Sequence, residues 1–538
     1  MNIDNDICFE KIYSKNKLFI DYINRRNDIL NIDFTDQNIY ENKINELYKL
    51  EFDFYKLSKI LINQNEELLQ HKPYWNELQK KITHPPFFTV VTGQQPGLLG
   101  GPNYTLFKVL TCIKLAKWIE DTFKISCLPI FWLVSEDHDI QETTSLNIIN
   151  KNWDIIKIKE TIPQEYSNLM INCLTSNSNY VSFLINGAKN IMPLTLHTDD
   201  IITKYFKIYQ SSDNIATAFK KFLSKLLDNL PILFIDPSCD EVKQIASSLF
   251  IRFVEDFTNI HTLLKKQTNI IIDNGYTPQL KLISNQLPFF YIIESKRYPL
   301  LISDEIYIKN MDRVFPKKDF MKILKNSPNK ISANVISRPL IQDLLLPNIT
   351  YVVGAAEISY LTQIKPLYAY LNIPMPIFFP RHSATIIFTK IKKYLTKLKI
   401  SPIDIMLNKK LSLHTTSQEL INKHLDTFQK AVIDQYNILI SDIKREKIDI
   451  TNEADLTKSK IINIIDRFKS KCSSKFLQQN SSIKHSLEAI KNTIKPFNKL
   501  QERELTIINL LNLEGEYSIK SIYNKIDLFN AKHYIYEI

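Results

Sequence analysis

Glycine is scarce in this chain, and its few occurrences are clustered. The 538 residues include only 8 glycines, whereas glycine makes up about 7% of an average protein. Four of them, Gly93, Gly97, Gly100 and Gly101, fall within one stretch of nine residues. In such a sequence glycine should persist mainly where its backbone freedom is needed. The cluster therefore indicates a turn with a specific structural or functional requirement.

Paired cysteines, long apolar runs and several common motifs are absent. The six cysteines form no C-x-x-C pair and no zinc spacing, which is typical of a reducing compartment. The N-terminal residues include acids and no signal segment, and no apolar run approaches the ~20 residues of a membrane helix. We therefore expect a cytoplasmic protein without a membrane partner. The commonest hydrolase and kinase motifs are also missing, which excludes their mechanisms.

The positive charge of the chain has no clustered source. The formal net charge is +11 and the isoelectric point is near 9.0, which would permit an anionic partner. The basic residues are scattered, and abundant Lys, Asn and Ile beside scarce Gly are typical of AT-rich codons. RNA binding through a basic surface is therefore the least favoured alternative, and we predict no nucleic-acid partner.

The glycine cluster lies between a predicted strand and a predicted helix. Residues 87–92 form an apolar, β-branched run, and residues 104–119 repeat apolar side chains at helical spacing. A helix start preceded by glycines can bind an anion or a carboxylate, although the loop lacks the P-loop and G-x-G-x-x-G patterns. The predicted binding residues are Thr92, Gly93, Gln94, Gln95, Gly101, Pro102 and Tyr104.

A second predicted strand, residues 128–134, runs directly into Glu136, Asp137, His138 and Asp139. Ligands of open α/β sheets bind beyond the carboxyl ends of strands, so these four residues are candidate catalytic groups. A solvated acidic turn that caps the next helix is the alternative. Carboxylates and imidazole also suit Mg, Mn or Zn. Because no second ligand cluster completes a shell, we predict no metal site and leave a metal requirement open.

A third segment, residues 331–386, contains further candidate binding residues. Asn334, Arg338 and Gln342 are spaced by four and would share one helical face. A helix beginning at Pro339 is also possible, which would place the first two in the preceding loop. Gly354 and Glu357 open another predicted helix. Tyr360 and Arg381 are the last two candidate binding residues, and Arg381 and His382 follow the predicted strand at 377–379. For Arg338, Arg381 and His382 the alternative is salt bridging or capping.

The pattern predicts an α/β protein with three parts. Residues 1–386 form a Rossmann-like parallel-sheet core with N-terminal helices and insertions at about 151–230 and 265–330. Residues 387–495 form an antiparallel α-helical coiled coil, because Ile421, Phe428, Leu439 and later apolar residues step by threes, fours and sevens. Residues 496–538 form a short helical tail that packs on the core. Within the core, residues 270–272 and 289–293 are expected to be strands, and one helix covers about 241–266.

Several of these segments resemble the BshC family, the cysteine-adding enzymes of bacillithiol synthesis. The resemblance rests on segments that span nearly the whole chain at similar spacing. They are TGQQPGLLGGPNYTLFK (92–108), PIFWLVSEDHD (129–139), NVISRPLIQDLLLP (334–347), YVVGAAEISY (351–360), PRHSAT (380–385) and LQER (500–503).

The resemblance implies an enzyme and its ligands. It implies a core related to class I aminoacyl-tRNA synthetases, a coiled coil used for homodimerisation, and a pocket for ADP or ATP near that coiled coil. It also implies addition of L-cysteine to glucosaminyl-malate, by a ligase that forms a carbon–nitrogen bond. The alternative is a dimeric scaffold or sensor that binds a nucleotide without turnover. In our mechanistic hypothesis Glu136, Asp137 and His138 orient or deprotonate the amine, while Arg338 and Arg381 neutralise anionic groups.

Overall fold

The computed structural model describes residues 6–13, 16–26, 28–409 and 416–538. The side chains of residues 416–422, 473, 474 and 477 are not described, so Ile421 lies outside this set. The strands are β1 (Asp6–Ile7), β2 (Phe88–Gln94), β3 (Cys127–Leu133), β4 (Leu146–Ile149), β5 (Ile155–Ile158), β6 (Leu233–Ile235), β7 (Gln286–Ile293), β8 (Lys296–Ile302), β9 (Glu305–Ile308), β10 (Val314–Pro316), β11 (Ile331–Ala333), β12 (Asn348–Val353), β13 (Ile377–Pro380), β14 (Ser383–Ile387) and β15 (His533–Glu537).

Helices precede, connect and follow these strands. They are α1 (Lys17–Ile23), α2 (Gln37–Tyr48), α3 (Phe54–Leu69), α4 (Trp75–Thr83), α5 (Asn103–Phe123), α6 (Ile140–Thr143), α7 (Asn179–Ile191), α8 (Thr198–Ile201), α9 (Lys207–Gln210), α10 (Ile215–Leu226), α11 (Asp240–Glu255), α12 (Phe257–Asp273), α13 (Lys317–Asn326), α14 (Ser337–Leu345), α15 (Ala355–Leu371), α16 (Thr389–Leu398), α17 (Pro402–Met406), α18 (Thr416–Arg445), α19 (Thr451–Gln479), α20 (Ser481–Ile494), α21 (Gln501–Glu504), α22 (Ile507–Glu514) and α23 (Tyr517–Lys525). No described helix combines the length and the apolar composition needed to cross a membrane.

The core is a parallel sheet of five strands in the order β13-β12-β2-β3-β6. The side chains of β3, β6, β12 and β13 are buried throughout, as expected for a parallel sheet covered on both faces. From β2 the chain first builds outward through β3 and β6, and later adds β12 and β13 on the other side. The direction of winding therefore reverses between β2 and β12, where open α/β sheets place their ligand crevice. The predicted Rossmann-like core is confirmed.

The glycine-rich turn joins β2 to α5, and bulkier residues would not fit at two of its glycines. Gly100 has φ +87°, and a Cβ at this position would lie 2.4 Å from the Phe222 ring. A Cβ at Gly97 would lie 2.8 Å from the Cα atom of Gly101. Both contacts are closer than side-chain carbons tolerate, so the turn packs tightly against α10 and against itself.

The segment from 286 to 333 builds a second, antiparallel sheet in the order β10-β9-β8-β7-β11. The predicted strand at 289–293 exists, but it belongs to this sheet. Two expectations nearby are wrong: residues 270–272 lie inside α12, and the single helix expected at about 241–266 is two helices, α11 and α12. A short apolar run does not distinguish a strand from a buried helical segment, which explains the first error.

The long helices α18 and α19 form the predicted antiparallel hairpin. Lys469 Nζ lies 2.7 Å from Asp426 Oδ1, and the Tyr436 hydroxyl donates to the Ala454 carbonyl at 3.0 Å. The second helix was expected to continue to about residue 494, but it ends at Gln479 and α20 begins two residues later. The exact boundaries between the three parts of the chain stay predictions.

The tail beyond residue 496 begins with helices but ends in a strand. β15 pairs in parallel with β14, where Ser383 faces His533, and antiparallel with β1, where Asp6 faces Tyr534. The expectation of a wholly helical tail is therefore wrong at its end. The alternating, aromatic sequence of residues 533–537 suits a strand, and two distant segments supply its hydrogen-bonding partners.

Candidate active site

A cavity of about 690 Å³ lies at the carboxyl ends of β2, β3 and β12. Its size and position are typical of a small-molecule site in an α/β fold. The structure brings thirteen of the predicted residues together in its lining. They are Gly93, Gln94, Gln95, Tyr104, Glu136, Asp137, His138, Asn334, Arg338, Gly354, Glu357, Tyr360 and Arg381.

Five predicted residues lie outside this lining, and three of them make internal contacts instead. The Thr92 hydroxyl donates to a carbonyl of β12 at 3.0 Å. The Asp139 carboxylate caps α6 by accepting from the Glu142 amide at 2.9 Å. Gln342 is fully buried beside Asp343 and, unlike Asn334 and Arg338, does not line the cavity. Because α14 begins only at Ser337, Asn334 lies in the loop before the helix, as the alternative placed it, and the three residues do not form one helical face.

The other two, Gly101 and Pro102, lie at the start of α5, which a later segment covers. The Gly101 carbonyl accepts from the Ile507 amide at 2.9 Å, and the Asn103 amide donates to the Leu505 carbonyl at 3.0 Å. Residues 505–507 therefore occupy the end of the helix that was expected to bind an anion. Long-range packing of this kind is not visible in the local pattern of the turn.

Arg338 extends from the first turn of α14 into the cavity. Its Nη2 donates to the hydroxyls of Tyr351 at 3.1 Å and Tyr360 at 2.8 Å. The Tyr351 hydroxyl in turn donates to the Glu357 carboxylate at 3.3 Å. The Arg338 Nη1 is buried and has no hydrogen-bond partner within the described part of the chain. The guanidinium thus retains unused donors although it is removed from bulk water.

Lys108 connects α5 to the glycine-rich turn and to α15. Its ammonium donates to the Gly93 carbonyl at 2.8 Å and to Gln94 Oε1 at 3.1 Å, and it pairs with Glu357. Because the lysine can only donate, the Gln94 amide nitrogen must face the Tyr104 hydroxyl, 3.1 Å away. Burial lowers the pKa of Lys108, while the Glu357 carboxylate opposes this shift. Lys108 therefore sets the orientation of a predicted binding residue.

The turn between β12 and α15 is shaped by its own carboxylate. The Gly354 amide donates to Glu357 Oε2 at 2.8 Å, so Glu357 satisfies the start of the helix that follows. A Cβ at Gly354 would lie 3.6 Å from Arg381 Nε, an ordinary van der Waals distance, so this turn lies beside the Arg381 guanidinium. This amide is already occupied by Glu357, which limits the ligand contacts expected at Gly354.

Asp137 is held by the glycine-rich turn, by β8 and by the backbone of its own turn. It accepts from the Gln95 side-chain amide, from Arg297 Nη1 at 3.2 Å and from the His138 backbone amide at 2.7 Å. Arg297 comes from β8 of the antiparallel sheet, and its guanidinium lies 4.1 Å from the centroid of the Phe290 ring. Burial lowers the pKa of Arg297, against the effect of Asp137. Burial and the neighbouring Arg297 charge lower the pKa of His138.

Glu136 is engaged at both carboxylate oxygens. Lys243 of α11 pairs with Oε1 and also donates to the Ile331 carbonyl, while the Ser332 hydroxyl donates to Oε2 at 3.1 Å. Both charged side chains are almost fully buried. Such a pair is strongly destabilised when one partner is lost. The arrangement makes Glu136 a link between β3, α11 and β11 rather than a free base.

Arg381, which also lines the cavity, forms a buried ion pair with Glu502. Its Nη2 lies 2.6 Å from Glu502 Oε1, and Glu502 Oε2 accepts from the Ser383 hydroxyl at 2.8 Å and the Ala384 amide at 3.2 Å. Although burial opposes ionisation, Arg381 and these donors lower the pKa of Glu502 to about 2. His382 does not line the cavity; it hydrogen-bonds to Tyr536, and burial lowers its pKa to about 3.

The cavity lining has an excess of positive charge. Seven basic side chains face four acidic ones. The basic residues are Lys108, Lys243, Lys281, Arg297, Arg338, Arg381 and Arg503, and the acidic residues are Glu136, Asp137, Glu142 and Glu357. Desolvation at the cavity wall, together with the carboxylates of Asp139 and Asp137, raises the pKa of Glu142. The lining is therefore suited to an anionic ligand.

Two family models together match nearly all of the chain. Residues 5–382 match "Bacillithiol biosynthesis BshC, N-terminal Rossmann-like domain", and residues 384–538 match "Bacillithiol biosynthesis BshC, C-terminal coiled-coil domain". The chain belongs to the BshC family. The resemblance noted in the sequence motifs is thereby confirmed.

Similar proteins cover most of the BshC chain. A protein of Natranaerobius thermophilus is 28% identical over 452 residues, which are 83% of this chain and 82% of the relative. A protein of Salinibacter ruber is 25% identical over 85% of this chain and 84% of its own length. A protein of Bacillus cereus strain AH187 is 24% identical over 96% and 97%. Each bears the name "Putative cysteine ligase BshC".

The geometry of this BshC site does not gather a metal shell. Glu136 faces Lys243, Asp137 faces Arg297 and Asp139 caps α6, so the acidic side chains of the turn diverge. Across residues 6–13, 16–26, 28–409 and 416–538, no three His, Cys, Asp or Glu side chains form a group that could bind a metal ion.

Sequence reasoning missed six charged residues of the lining. They are Lys108, Glu142, Lys243, Lys281, Arg297 and Arg503. For two of them a signal exists: Lys108 and Lys243 lie among mainly apolar residues on the faces of α5 and α11 that the structure buries. A lysine at such a position is seldom tolerated unless it is paired, so it indicates a buried carboxylate nearby. Arg297 was missed because it lies in the segment of about 265–330, which was expected to be an insertion and not part of the site.

Proposed function

We propose that this BshC chain is a ligase that joins L-cysteine to glucosaminyl-malate, as the last step of bacillithiol biosynthesis. The names of its relatives support cysteine as one substrate. The new bond joins the amine nitrogen of the sugar to the carboxyl carbon of cysteine. The carboxyl group loses one oxygen with its electron pair, and the amine loses a proton. The reaction therefore needs an activated carboxyl, a polarised carbonyl and a proton acceptor.

The observation that best supports this substrate is the environment of Arg338. A buried guanidinium without a direct carboxylate partner is costly unless another anion completes its contacts. Its Nη1 is a buried donor that no described group satisfies, and its Nη2 is held by two tyrosine hydroxyls. The malate part of glucosaminyl-malate has two carboxylates, which match a planar guanidinium well. We assign this part of the substrate to Arg338.

The same lining suits an activating nucleotide, and we propose ATP as the co-substrate. Arg381 and Arg503 are the groups that would bind anionic phosphates. When bound, ATP supplies the phosphoryl chemistry that makes the carboxyl of cysteine reactive. Glu142 is our candidate for the proton acceptor, because its pKa is raised and its oxygens are less engaged than those of Glu136 or Asp137.

A reconstituted assay tests the ligase proposal. Purified protein is mixed with cysteine and glucosaminyl-malate, with and without ATP, and the cysteinyl product is quantified by mass spectrometry. We expect product only in the complete mixture. Replacing Arg338 by lysine should raise the KM for glucosaminyl-malate by about 10-fold or more, since one bidentate contact is lost. Arg445→Lys, at an exposed position of the coiled coil, serves as the matched control.

Two outcomes would contradict the proposal. Binding of nucleotide and glucosaminyl-malate without product, under conditions in which a relative is active, would favour the non-catalytic scaffold. An unchanged KM in Arg338→Lys, with product formed normally, would show that the malate carboxylates bind elsewhere. Thiol analysis in cells that lack the protein gives an independent answer, since a ligase is required for the cysteinyl thiol and a sensor is not.

We also propose a homodimer formed through the coiled coil. Several large apolar side chains of α18 and α19 are more than half exposed in the single chain. They are Phe428, Ile438, Leu439, Leu456, Ile464 and Phe468. Exposed apolar stripes of this length favour a second helical surface. Light scattering should give twice the mass of one chain, and Phe428→Glu with Phe468→Glu should give the mass of a monomer.

A cytoplasmic location is also part of the proposed function, and the free cysteines support it.

A further inference from the structure

The ring nitrogens of His138 have unequal environments. Nδ1 lies 3.3 Å from Arg297 Nη1, whereas Nε2 has no hydrogen-bond partner in the described parts of the chain and the ring lines the cavity. A guanidinium nitrogen can only donate a hydrogen bond, because arginine is not deprotonated in proteins. The Nδ1 atom that receives this bond must therefore present a lone pair. In a neutral imidazole the hydrogen then resides on Nε2.

Asp137 could in principle favour the opposite arrangement, since its Oδ1 lies 3.5 Å from His138 Nδ1. The hydrogen bonds around Asp137 argue against it. Arg297 Nη1 has two hydrogens and two acceptors, namely Asp137 Oδ1 at 3.2 Å and His138 Nδ1. Asp137 Oδ1 also accepts the His138 backbone amide, and Oδ2 accepts from Gln95. The carboxylate is therefore satisfied without a hydrogen on Nδ1.

The position of Arg297 is fixed independently of the histidine. Its Nη2 donates to the Ala333 carbonyl, its guanidinium stacks on Phe290, and only 5% of its side chain is exposed. The His138 ring meets the same phenylalanine edge to face, with 5.6 Å between the ring centroids. One aromatic ring thus supports both partners. The guanidinium cannot leave Nδ1 without breaking a buried hydrogen bond and an ion pair.

We propose that Arg297 is a positioning residue that holds His138 in the neutral tautomer with its hydrogen on Nε2. His138 then presents an N–H donor to the cavity. It does not accept the proton of the amine, which differs from our sequence-based hypothesis. The group it would bind is an oxygen that gains negative charge. For the reaction, this inference rests on the proposed ligase function, in which the carbonyl oxygen of cysteine gains charge during attack.

Nearby charges are consistent with a neutral ring. The charged groups that face His138 are Arg297 from β8 and the carboxylates of Asp137 and Asp139 from its own turn. Burial and Arg297 outweigh these carboxylates, so the pKa of the ring is lowered rather than raised. The amine proton must then go to another group, and Glu142 is the candidate named above. His138 is therefore the hydrogen-bond donor, and Glu142 is the proton acceptor.

The tautomer can be observed directly, without any turnover. The full-length protein is labelled with ¹⁵N-histidine, and two-bond ¹H–¹⁵N spectra at pH 7.5 distinguish the two neutral tautomers and the charged ring. His138→Gln identifies the signals of His138 among those of 10 histidines. We expect the wild-type ring to carry its hydrogen on Nε2. We expect Arg297→Gln to mix or reverse the tautomers, and Arg313→Gln, at the residue just before β10 of the same antiparallel sheet, to leave them unchanged.

Kinetics provide a second readout that separates a donor from a base. The amide nitrogen of glutamine can occupy the place of His138 Nε2 and donate a hydrogen bond, but it cannot accept a proton. His138→Gln should therefore retain at least about 10-fold more kcat than His138→Ala, because a positioned donor of this kind contributes about 10²–10³ in kcat. Arg297→Gln should lower kcat more than it raises either KM, and Arg297→Lys should recover part of the loss.

A wild-type ring with its hydrogen on Nδ1, or a charged ring at pH 7.5, would overturn the inference, whether or not Arg297→Gln folds. Equal kcat values for His138→Gln and His138→Ala would overturn the donor role. These failures differ from a failure of the ligase proposal, because the spectra require no substrate. A correct tautomer in a protein that forms no product would leave Arg297 as the positioning residue and refute only the assigned reaction.

Discussion

Replacement of Glu502 by glutamine isolates the buried ion pair that connects the tail to the cavity wall. Glu502 is fully buried, and its carboxylate receives Arg381, the Ser383 hydroxyl and the Ala384 amide. Glutamine has nearly the same shape but no charge, and its NH₂ group would face donors. The substitution therefore leaves Arg381 buried without a counter-charge. Because few atoms change, the loss of stability should report the charge rather than the packing.

The magnitude follows from the pKa of the carboxyl. It falls from an ordinary value near 4.5 to about 2 in the folded protein, and each pKa unit corresponds to about 1.4 kcal/mol. The shift therefore amounts to about 3 kcal/mol of stability in the charged state. Loss of one partner of a buried ion pair costs about 3–5 kcal/mol in other proteins. We expect Glu502→Gln to lower the free energy of unfolding by a similar amount.

Urea denaturation followed by tryptophan fluorescence and circular dichroism measures this change. The matched control is Glu488→Gln, whose carboxylate lies 3.9 Å from Lys484 with both side chains more than half exposed. Such surface pairs contribute at most about 1 kcal/mol. In the wild type the contribution of Glu502 should be complete above about pH 4.5 and disappear as the pH falls towards 2. A loss in Glu502→Gln no larger than that in the control would refute the reasoning.

Three further experiments test other parts of the structure. Gly100→Ala should lower stability by about 1–3 kcal/mol, seen as a lower thermal midpoint, because the new methyl group would meet Phe222. Lys243→Met should cost about 3–5 kcal/mol by leaving Glu136 buried and unpaired, and adding Glu136→Gln should restore part of it. Burial lowers the pKa of His533 to about 4, so the unfolded state takes up its proton first. The free energy of unfolding should therefore fall as the pH drops from about 6.5 to about 4, with a shallower slope in His533→Gln.

The parts of the fold that sequence analysis predicted correctly have strong local signals. The strand, turn and helix around the glycine cluster were expected at 87–92 and 104–119, and the structure has them at Phe88–Gln94 and Asn103–Phe123. Continuous apolar runs with β-branched residues mark buried parallel strands, and the scarcity of glycine makes the turn easy to recognise. The position of Gln95, His138 and Arg338 in one cavity followed from the rule that ligands lie at the carboxyl ends of strands.

The missed parts depend on contacts between distant segments. Arg297 reaches Asp137 across 160 positions of sequence, and Arg381 reaches Glu502 across 121. No local pattern predicts such a partner, because a charged residue in a strand or turn is usually solvated. The same reason explains why the start of α5 was expected to be open. Its cover, at residues 505–507, belongs to a helical tail whose docking position the sequence does not indicate.

The order of the chain has a consequence for how this site comes into being on the ribosome. The cavity residues up to Arg381 are synthesised well before Glu502, the ion-pair partner of Arg381. Residues 533–537, which lie between β14 and β1, are synthesised later still. Until Glu502 has been added, the Arg381 guanidinium has no counter-charge from this partner. Folding of the core is therefore expected to finish only after the coiled coil has been translated. The hairpin is synthesised before the core is complete, and the last segment completes it.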